Sequence, residues 1–136
     1  MSQDTLPLVV IAVDGSCRGN PGPGGWAVIL QCDQREKELV GGADQTTNNR
    51  MELQAVIAGL QALKRRCQVR LLTDSQYVAA VLGGGKARAN LDLVGQARQL
   101  AATHLVTVEK VAGHSGHPLD ERCDRLAQTH ARCRCL

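Results

Sequence analysis

The sequence predicts an α/β domain built on a mixed sheet. Two short apolar runs each stop at an acid, two strand-like segments flank a polar connection, and stretches with apolar residues at helical spacing are interleaved with them. The first run, Leu6 to Val13, is nearly continuous and ends at Asp14, as a strand buried on both faces does. Residues 15–25 are rich in glycine and proline and read as a loop. Trp26 to Gln31 and Glu36 to Val40 lie on either side of Cys32 to Arg35 and read as a hairpin, so the sheet begins antiparallel. Thr46, Thr47, Asn48 and Asn49 are all N-cap candidates, and Asn49 with Glu52 resembles a capping box that opens a helix reaching about Arg65. Its apolar stripe is Leu53, Val56, Ile57, Leu60 and Leu63, and Glu52, in the first turn, lies beside that stripe and faces the sheet or its rim. Val69 to Thr73 is a second buried strand ending at an acid, Asp74; Ser75 to Leu82 is helical and stops at Gly83, Gly84 and Gly85. Leu91 to Thr103 is a further helix, His104 to Val111 a strand, and Pro118 starts a last helix to about Arg132. The element order is thus β-β-β-α-β-α-α-β-α.

Composition narrows the function classes. The 136 residues suit a single domain, expected over residues 1–132 with a short tail at 133–136. Hydrophobic residues at 43% and charged residues at 21% are globular values, far from those of disordered chains. No stretch approaches the roughly 20 apolar residues of a membrane span. Met1 to Asp4 lacks the positive start of a signal peptide, and a cytoplasmic protein is expected. Aromatic residues are Trp26 and Tyr77 only, so the core must be aliphatic and base stacking on rings is nearly unavailable. A net charge of +3 permits a polyanionic partner without requiring one. The six cysteines show no metal-ligand spacing; Cys17, Cys32, Cys67 and Cys123 stand alone, Cys133 and Cys135 close the chain, and reduced thiols are expected.

The chemistry lies in the carboxylates. Asp14 and Asp74 each follow a buried strand, and open α/β sheets place their sites at the carboxyl ends of such strands. Glu52 projects from a helix packed on that sheet, and the last helix offers Asp120, Glu121 and Asp124. Singly, such acids are more often caps or solvated groups. Together they would repel strongly at low dielectric, which implies divalent cations, and hard oxygen ligands select Mg²⁺ or Mn²⁺. Two such ions can activate a water and stabilise the departing oxygen in phosphodiester cleavage. His114, in a glycine-flanked loop, suits equally a proton carrier at the leaving oxygen and a loop histidine held by a backbone contact; His117, before Pro118, suits a turn. Gly22 to Ala27 formally matches GxGxxA, but a strand follows it where a dinucleotide site needs a helix.

The segments Asp14 to Gly25, Thr46 to Leu53, Thr73 to Val78 and Gly113 to Asp124 closely resemble type 1 ribonuclease H of the bacterial kind, and they span nearly the whole chain. The resemblance implies a ribonuclease H-like fold, a five-stranded mixed sheet with the first three strands antiparallel and helices on both faces. It also implies an endonuclease that cuts the RNA strand of an RNA/DNA hybrid and leaves 5′-phosphate and 3′-hydroxyl ends. Catalytic positions fall on Asp14, Glu52, Asp74, Asp124 and His114, with the four acids holding two Mg²⁺ ions when substrate is bound and Mn²⁺ as a substitute. Cys17, Asn20, Asn48, Asn49 and Gln76 match positions that contact the hybrid in its minor groove, where the 2′-hydroxyl separates RNA from DNA; Thr47 matches a DNA-phosphate contact. The hybrid is the expected partner, with no protein partner and a monomeric enzyme.

Two departures stand out. Many bacterial members carry a basic, Trp-rich helix and loop, the handle, between the segments matching Tyr77 and Leu91; residues 78–90 hold only Lys86 and Arg88 as charges, so the handle is expected to be missing. Ala112 stands where relatives often place lysine. Weaker hybrid binding, a shallower salt dependence and better support by Mn²⁺ than by Mg²⁺ are therefore expected. The competing readings are a non-catalytic hybrid-binding module and another nuclease of the same fold, such as a transposase-like or junction-cutting one.

Overall fold

A computed structural model describes residues 6–19, 21–111 and 126–127. The first apolar run becomes β1 (Leu8–Cys17), the centre of a five-stranded sheet ordered β3-β2-β1-β4-β5. It pairs antiparallel with β2 (Gly22–Cys32) and parallel with β4 (Gln68–Thr73). On the outer sides β3 (Arg35–Thr46) runs antiparallel to β2 and β5 (Leu105–Lys110) parallel to β4. The sheet is therefore mixed, with its first three strands antiparallel as expected. A central strand is covered on both faces, which is why Leu8 to Val13 shows no polar alternation.

One face of the sheet carries α1 (Asn48–Gln61), α2 (Gln76–Leu82) and α3 (Leu91–Ala102). Val9, Ile11, Val13, Val28, Leu30, Val69 and Leu71 meet Leu53, Val56, Leu60, Val78 and Val94 in one aliphatic core. Fully burying each such Val, Leu or Ile contributes about 1.5–3 kcal/mol, so a core with no Phe is sufficient. Ala27 and Ile29 alternate to the opposite face, where Ala127 packs on them. Leu126 and Ala127 are helical; the rest of the helix expected from Pro118 to Arg132 lies outside the described residues, as do Cys123, Cys133 and Cys135. Cys17, Cys32 and Cys67 are free thiols.

Several expected boundaries move. The loop expected over residues 15–25 is shorter: β1 runs through Gly15 to Cys17 and β2 starts at Gly22, with Ser16 opposite Gly25 and Cys17 opposite Gly24. Gly15 is there because α1 presses onto β1. A Cβ on Gly15 would lie 2.5 Å from the Glu52 nitrogen and 2.6 Å from the Met51 carbonyl carbon. Similarly β3 extends past Val40 to Thr46, and Gly41 lies beneath the Trp26 ring, where a Cβ would come within 2.3 Å of Cζ2. α1 stops at Gln61, short of Arg65. Its N-cap is Thr47, whose Oγ1 accepts from the Arg50 N–H at 3.3 Å, so the Asn49–Glu52 capping box does not form and Glu52 lies in the second turn. Ser75 is the N-cap of α2, its Oγ accepting from the Val78 N–H at 3.1 Å.

α2 and α3 are joined by residues 83–90 with no helix between them, so the handle is absent as expected.

Candidate active site

Parallel pairing of β1 and β4 brings their carboxyl ends side by side, with Ala12 opposite Leu72. Asp74 directly follows β4. Asp14 lies inside β1, three residues before its end, because the strand continues through the glycines. α1 crosses β1 at Gly15 in backbone contact and so carries Glu52 to the same place. Asp14 and Glu52 are 3% and 6% exposed, an unusual burial for acids in an aliphatic domain. Ligand oxygens of Asp14, Glu52 and Asp74 all lie within 4.8 Å of one another.

One backbone group organises two of the three. The Gly15 N–H donates to Asp14 Oδ1 at 2.9 Å and to Glu52 Oε1 at 3.1 Å. The other oxygens of these acids, Oδ2 of Asp14 and Oε2 of Glu52, are buried and accept no hydrogen bond. At 4.8 Å two like charges repel by about 3.5 kcal/mol at an effective dielectric of 20. Three close, mostly buried carboxylates thus fit a divalent cation bound by hard oxygens, and they would offset its charge. The sequence paired these acids correctly; it did not single out Gly15, although the residue after a site aspartate is the one whose N–H can turn back to its carboxylate.

The other expected residues fall into three groups. Asn48 and Asn49 open α1 and Gln76 opens α2, and all three are exposed. Cys17 and Thr47 are engaged within the protein: the Cys17 Sγ is 3.4 Å from the Gly22 carbonyl oxygen and 3.3 Å from that of Thr46, and Thr47 caps α1. Asn20, His114 and Asp124, with Asp120, Glu121 and His117, lie outside the described residues.

Fold and site together define an α/β domain that gathers acids for a divalent metal at the carboxyl edge of its sheet. The RNase H family model matches residues 7–132. The chain is 47% identical over 143 aligned positions to a ribonuclease H of Nitratidesulfovibrio vulgaris (strain DP4), covering 94% of this chain and 92% of that one. Among solved structures it is similar to LC9-RNase H1, a type 1 RNase H with the type 2 active-site motif, with a TM-score of 0.85, 31% identity and coverage of 98% of this chain and 76% of that one. It also shares its fold with LC11-RNase H1, solved in complex with an RNA/DNA hybrid, with a TM-score of 0.80, 20% identity and coverage of 94% and 99%. The chain belongs to the ribonuclease H family.

Proposed function

We propose that the chain is an endoribonuclease that hydrolyses the RNA strand of RNA/DNA hybrids, leaving 5′-phosphate and 3′-hydroxyl ends, with Asp14, Glu52, Asp74 and Asp124 as metal ligands. The observation that carries this reading is the buried carboxylate cluster, held at the junction of β1, β4 and α1 in a chain of the ribonuclease H family. Two Mg²⁺ ions, or Mn²⁺ in their place, would supply an activated water and charge stabilisation at the departing 3′-oxygen. The protein's own part is to hold its carboxylates ready. Gly15 fixes one oxygen of Asp14 and one of Glu52, which leaves the second oxygen of each for a cation. The sequence places Asp124 three residues before Ala127, which packs on Ala27, the cross-strand partner of Asp14; this supports Asp124 as the fourth ligand. His114 acts as the proton carrier at the leaving oxygen.

Substrate choice belongs to short polar side chains. Asn48, Asn49 and Gln76 stand exposed at the starts of α1 and α2 and read the minor groove with Asn20 and Cys17, where 2′-hydroxyls distinguish the RNA strand. Thr47 caps α1 and meets a DNA phosphate through the same turn. Of the comparison structures, LC11-RNase H1 in its hybrid complex supports the hybrid as substrate. A monomer acting in the cytoplasm as a single domain over residues 1–132 completes the proposal. Among the described residues no helix is long and apolar enough to cross a membrane.

The test is cleavage of end-labelled RNA/DNA, RNA/RNA and DNA/DNA duplexes with and without Mg²⁺ or Mn²⁺. The expected result is cutting of the RNA strand in the hybrid alone, and only with metal. Binding of the hybrid with no cutting under any metal would favour the non-catalytic module, and cutting of DNA/DNA would favour the other nuclease.

A further inference from the structure

The two edges of the sheet are not alike. β3 forms one edge and carries Arg35, Glu36, Lys37 and Glu38 in succession, charges of the kind that keep a free strand edge from pairing with another chain. β5 forms the other, and its residues Leu105 to Val108 carry no charge. The ladder of β5 shows which of its backbone groups face outward. Leu105 and Val111 donate their N–H groups to the carbonyls of Cys67, just before β4, and Thr73 at 3.0 and 2.8 Å, so the odd-numbered residues face β4. Val106, Val108 and Lys110 therefore turn their N–H and C=O groups to the open edge, where no strand pairs among the described residues.

A cavity of about 580 Å³ adjoins this edge on the helix side of the sheet. Leu82, Ala101, Val106 and Val108 give it apolar walls, and Arg98 and His104 bring hydrogen-bond donors. Arg98 Nε donates to the Val81 carbonyl at 2.8 Å and its guanidinium also donates to the Gly85 carbonyl, so the bonds that hold it are to neutral oxygens. His104 accepts the Cys67 N–H on Nδ1 at 3.1 Å, which leaves the ring proton on Nε2 as a further donor. The surroundings are basic. Asp92 and Glu109 are the acids of residues 76–110, and each is taken by an arginine from outside that stretch, Asp92 by Arg50 at 3.0 Å and Glu109 by Arg70 at 2.6 Å. Lys86, Arg88, Arg98 and Lys110 are left in excess.

We propose that the outer edge of β5 and the cavity beside it are a docking site for an extended segment of a partner protein, which adds a strand to the sheet and sets apolar and acidic side chains into the cavity. Strand addition draws affinity from main-chain hydrogen bonds and selectivity from pockets that take alternate side chains. Both parts are present here. Val106 and Val108 offer the main-chain groups, and the cavity lies on the side that every second residue of an added strand would face. Its apolar walls take a valine-sized group, and the excess of cations with Arg98 at the wall selects a carboxylate over an amine. A nucleic acid has phosphates for the cations but no backbone that alternates donors and acceptors along a strand edge. Because β5 runs parallel to β4, its first residues lie at the end of the sheet away from Asp74, and a segment docked beside the cavity leaves the acidic cluster open.

The test titrates the whole chain, labelled with ¹⁵N, with the blocked peptide Val-Thr-Glu-Thr-Val, whose valines and glutamate share one face of a strand. The expected result is saturable binding below about 1 mM, with amide exchange of Val106 and Val108 slowed about tenfold or more at saturation. N-methylation of alternate peptide nitrogens separates strand pairing from charge attraction, since only one of the two alternate sets can face β5. One methylated peptide should lose binding and the other keep it. Arg98→Gln should weaken binding about tenfold while cleavage of a hybrid is unchanged. Should that variant loosen the fold, Val-Thr-Lys-Thr-Val tests the same charge preference on the unsubstituted chain, with a loss of similar size expected. No saturable binding by about 1 mM overturns the proposal, as does equal binding of both methylated peptides, which would leave charge attraction alone. Displacement of the peptide by an RNA/DNA hybrid also overturns it, because the edge would then belong to a nucleic-acid surface.

Discussion

The acidic end of the sheet and the α2–α3 connection hold their functional groups by opposite means. At the acidic end, α1 lies on β1 so closely that no side chain fits at Gly15, and one N–H there serves two buried carboxylates. In the α2–α3 connection, half-buried and exposed side chains are linked by hydrogen bonds over residues far apart in sequence, such as Arg50 and Asp92. Backbone packing gives the chemistry a geometry that few substitutions tolerate. Side-chain bonding joins the starts of α1, α2 and α3 through contacts that single substitutions can remove.

The largest expected difference between the two regions comes from one methyl group. Gly15→Ala places a Cβ 2.5 Å from the Glu52 backbone nitrogen, so α1 must lift from the sheet. We expect destabilisation of about 3 kcal/mol or more, read as a lowered denaturation midpoint, and loss of cleavage because Glu52 moves. Gly84→Ala, with φ +93° but nothing near its Cβ, should be milder in stability and neutral in kcat; equal effects at both positions would erase the contrast.

Next in size is the salt dependence of hybrid binding. Each missing phosphate contact removes roughly one unit from the slope of log K against log salt, so this chain should give a shallower slope than a relative with the basic insertion. Equal slopes would mean that other residues restore the lost contacts. Initial rates under metal titration should favour Mn²⁺ over Mg²⁺, because weaker grip on the hybrid leaves more of the positioning to the metal site; a clear advantage for Mg²⁺ contradicts this.

The smallest effect is remote from both regions. His104 accepts the Cys67 N–H on Nδ1 at 3.1 Å, and burial, with Arg66 nearby, holds its imidazole below the ordinary value of 6.5. The unfolded chain takes up this proton first as pH falls, so stability is fully present above about 6.5 and declines from there through the lower folded value. His104→Asn, which offers an amide oxygen in place of Nδ1, should flatten unfolding free energy between pH 7.5 and 5 without changing cleavage at neutral pH.

Much of this arrangement is legible in the sequence where a single segment decides it. The runs ending at Asp14 and Asp74 announce buried strands, and their parallel pairing brings the acids together. The glycine-rich stretch misleads because glycine is a poor strand former by itself; the approach of α1 to Gly15, through Met51 and Glu52 more than thirty positions away, and of Thr46 and Met51 to Gly24, explains glycine at those strand positions. Four candidates compete to cap α1, and the choice of Thr47 moves Glu52 from the first turn to the second, where it meets Asp14. The Arg50–Asp92–Asn90–Tyr77 network leaves no local trace, since its members belong to three helices and an unremarkable N-cap asparagine, Asn90, hides a left-handed backbone.

Metal-dependent cleavage of the hybrid depends on the carboxylate cluster, and Asp14→Asn tests this most directly, since it keeps the shape and removes the charge. Hybrid binding and single-turnover cleavage are measured on the same preparation with saturating Mg²⁺ or Mn²⁺. The predicted result is retained binding with cleavage reduced at least about a thousandfold, the scale expected when a group that stabilises the transition state is lost. Cleavage within a few fold of the unsubstituted chain would contradict it.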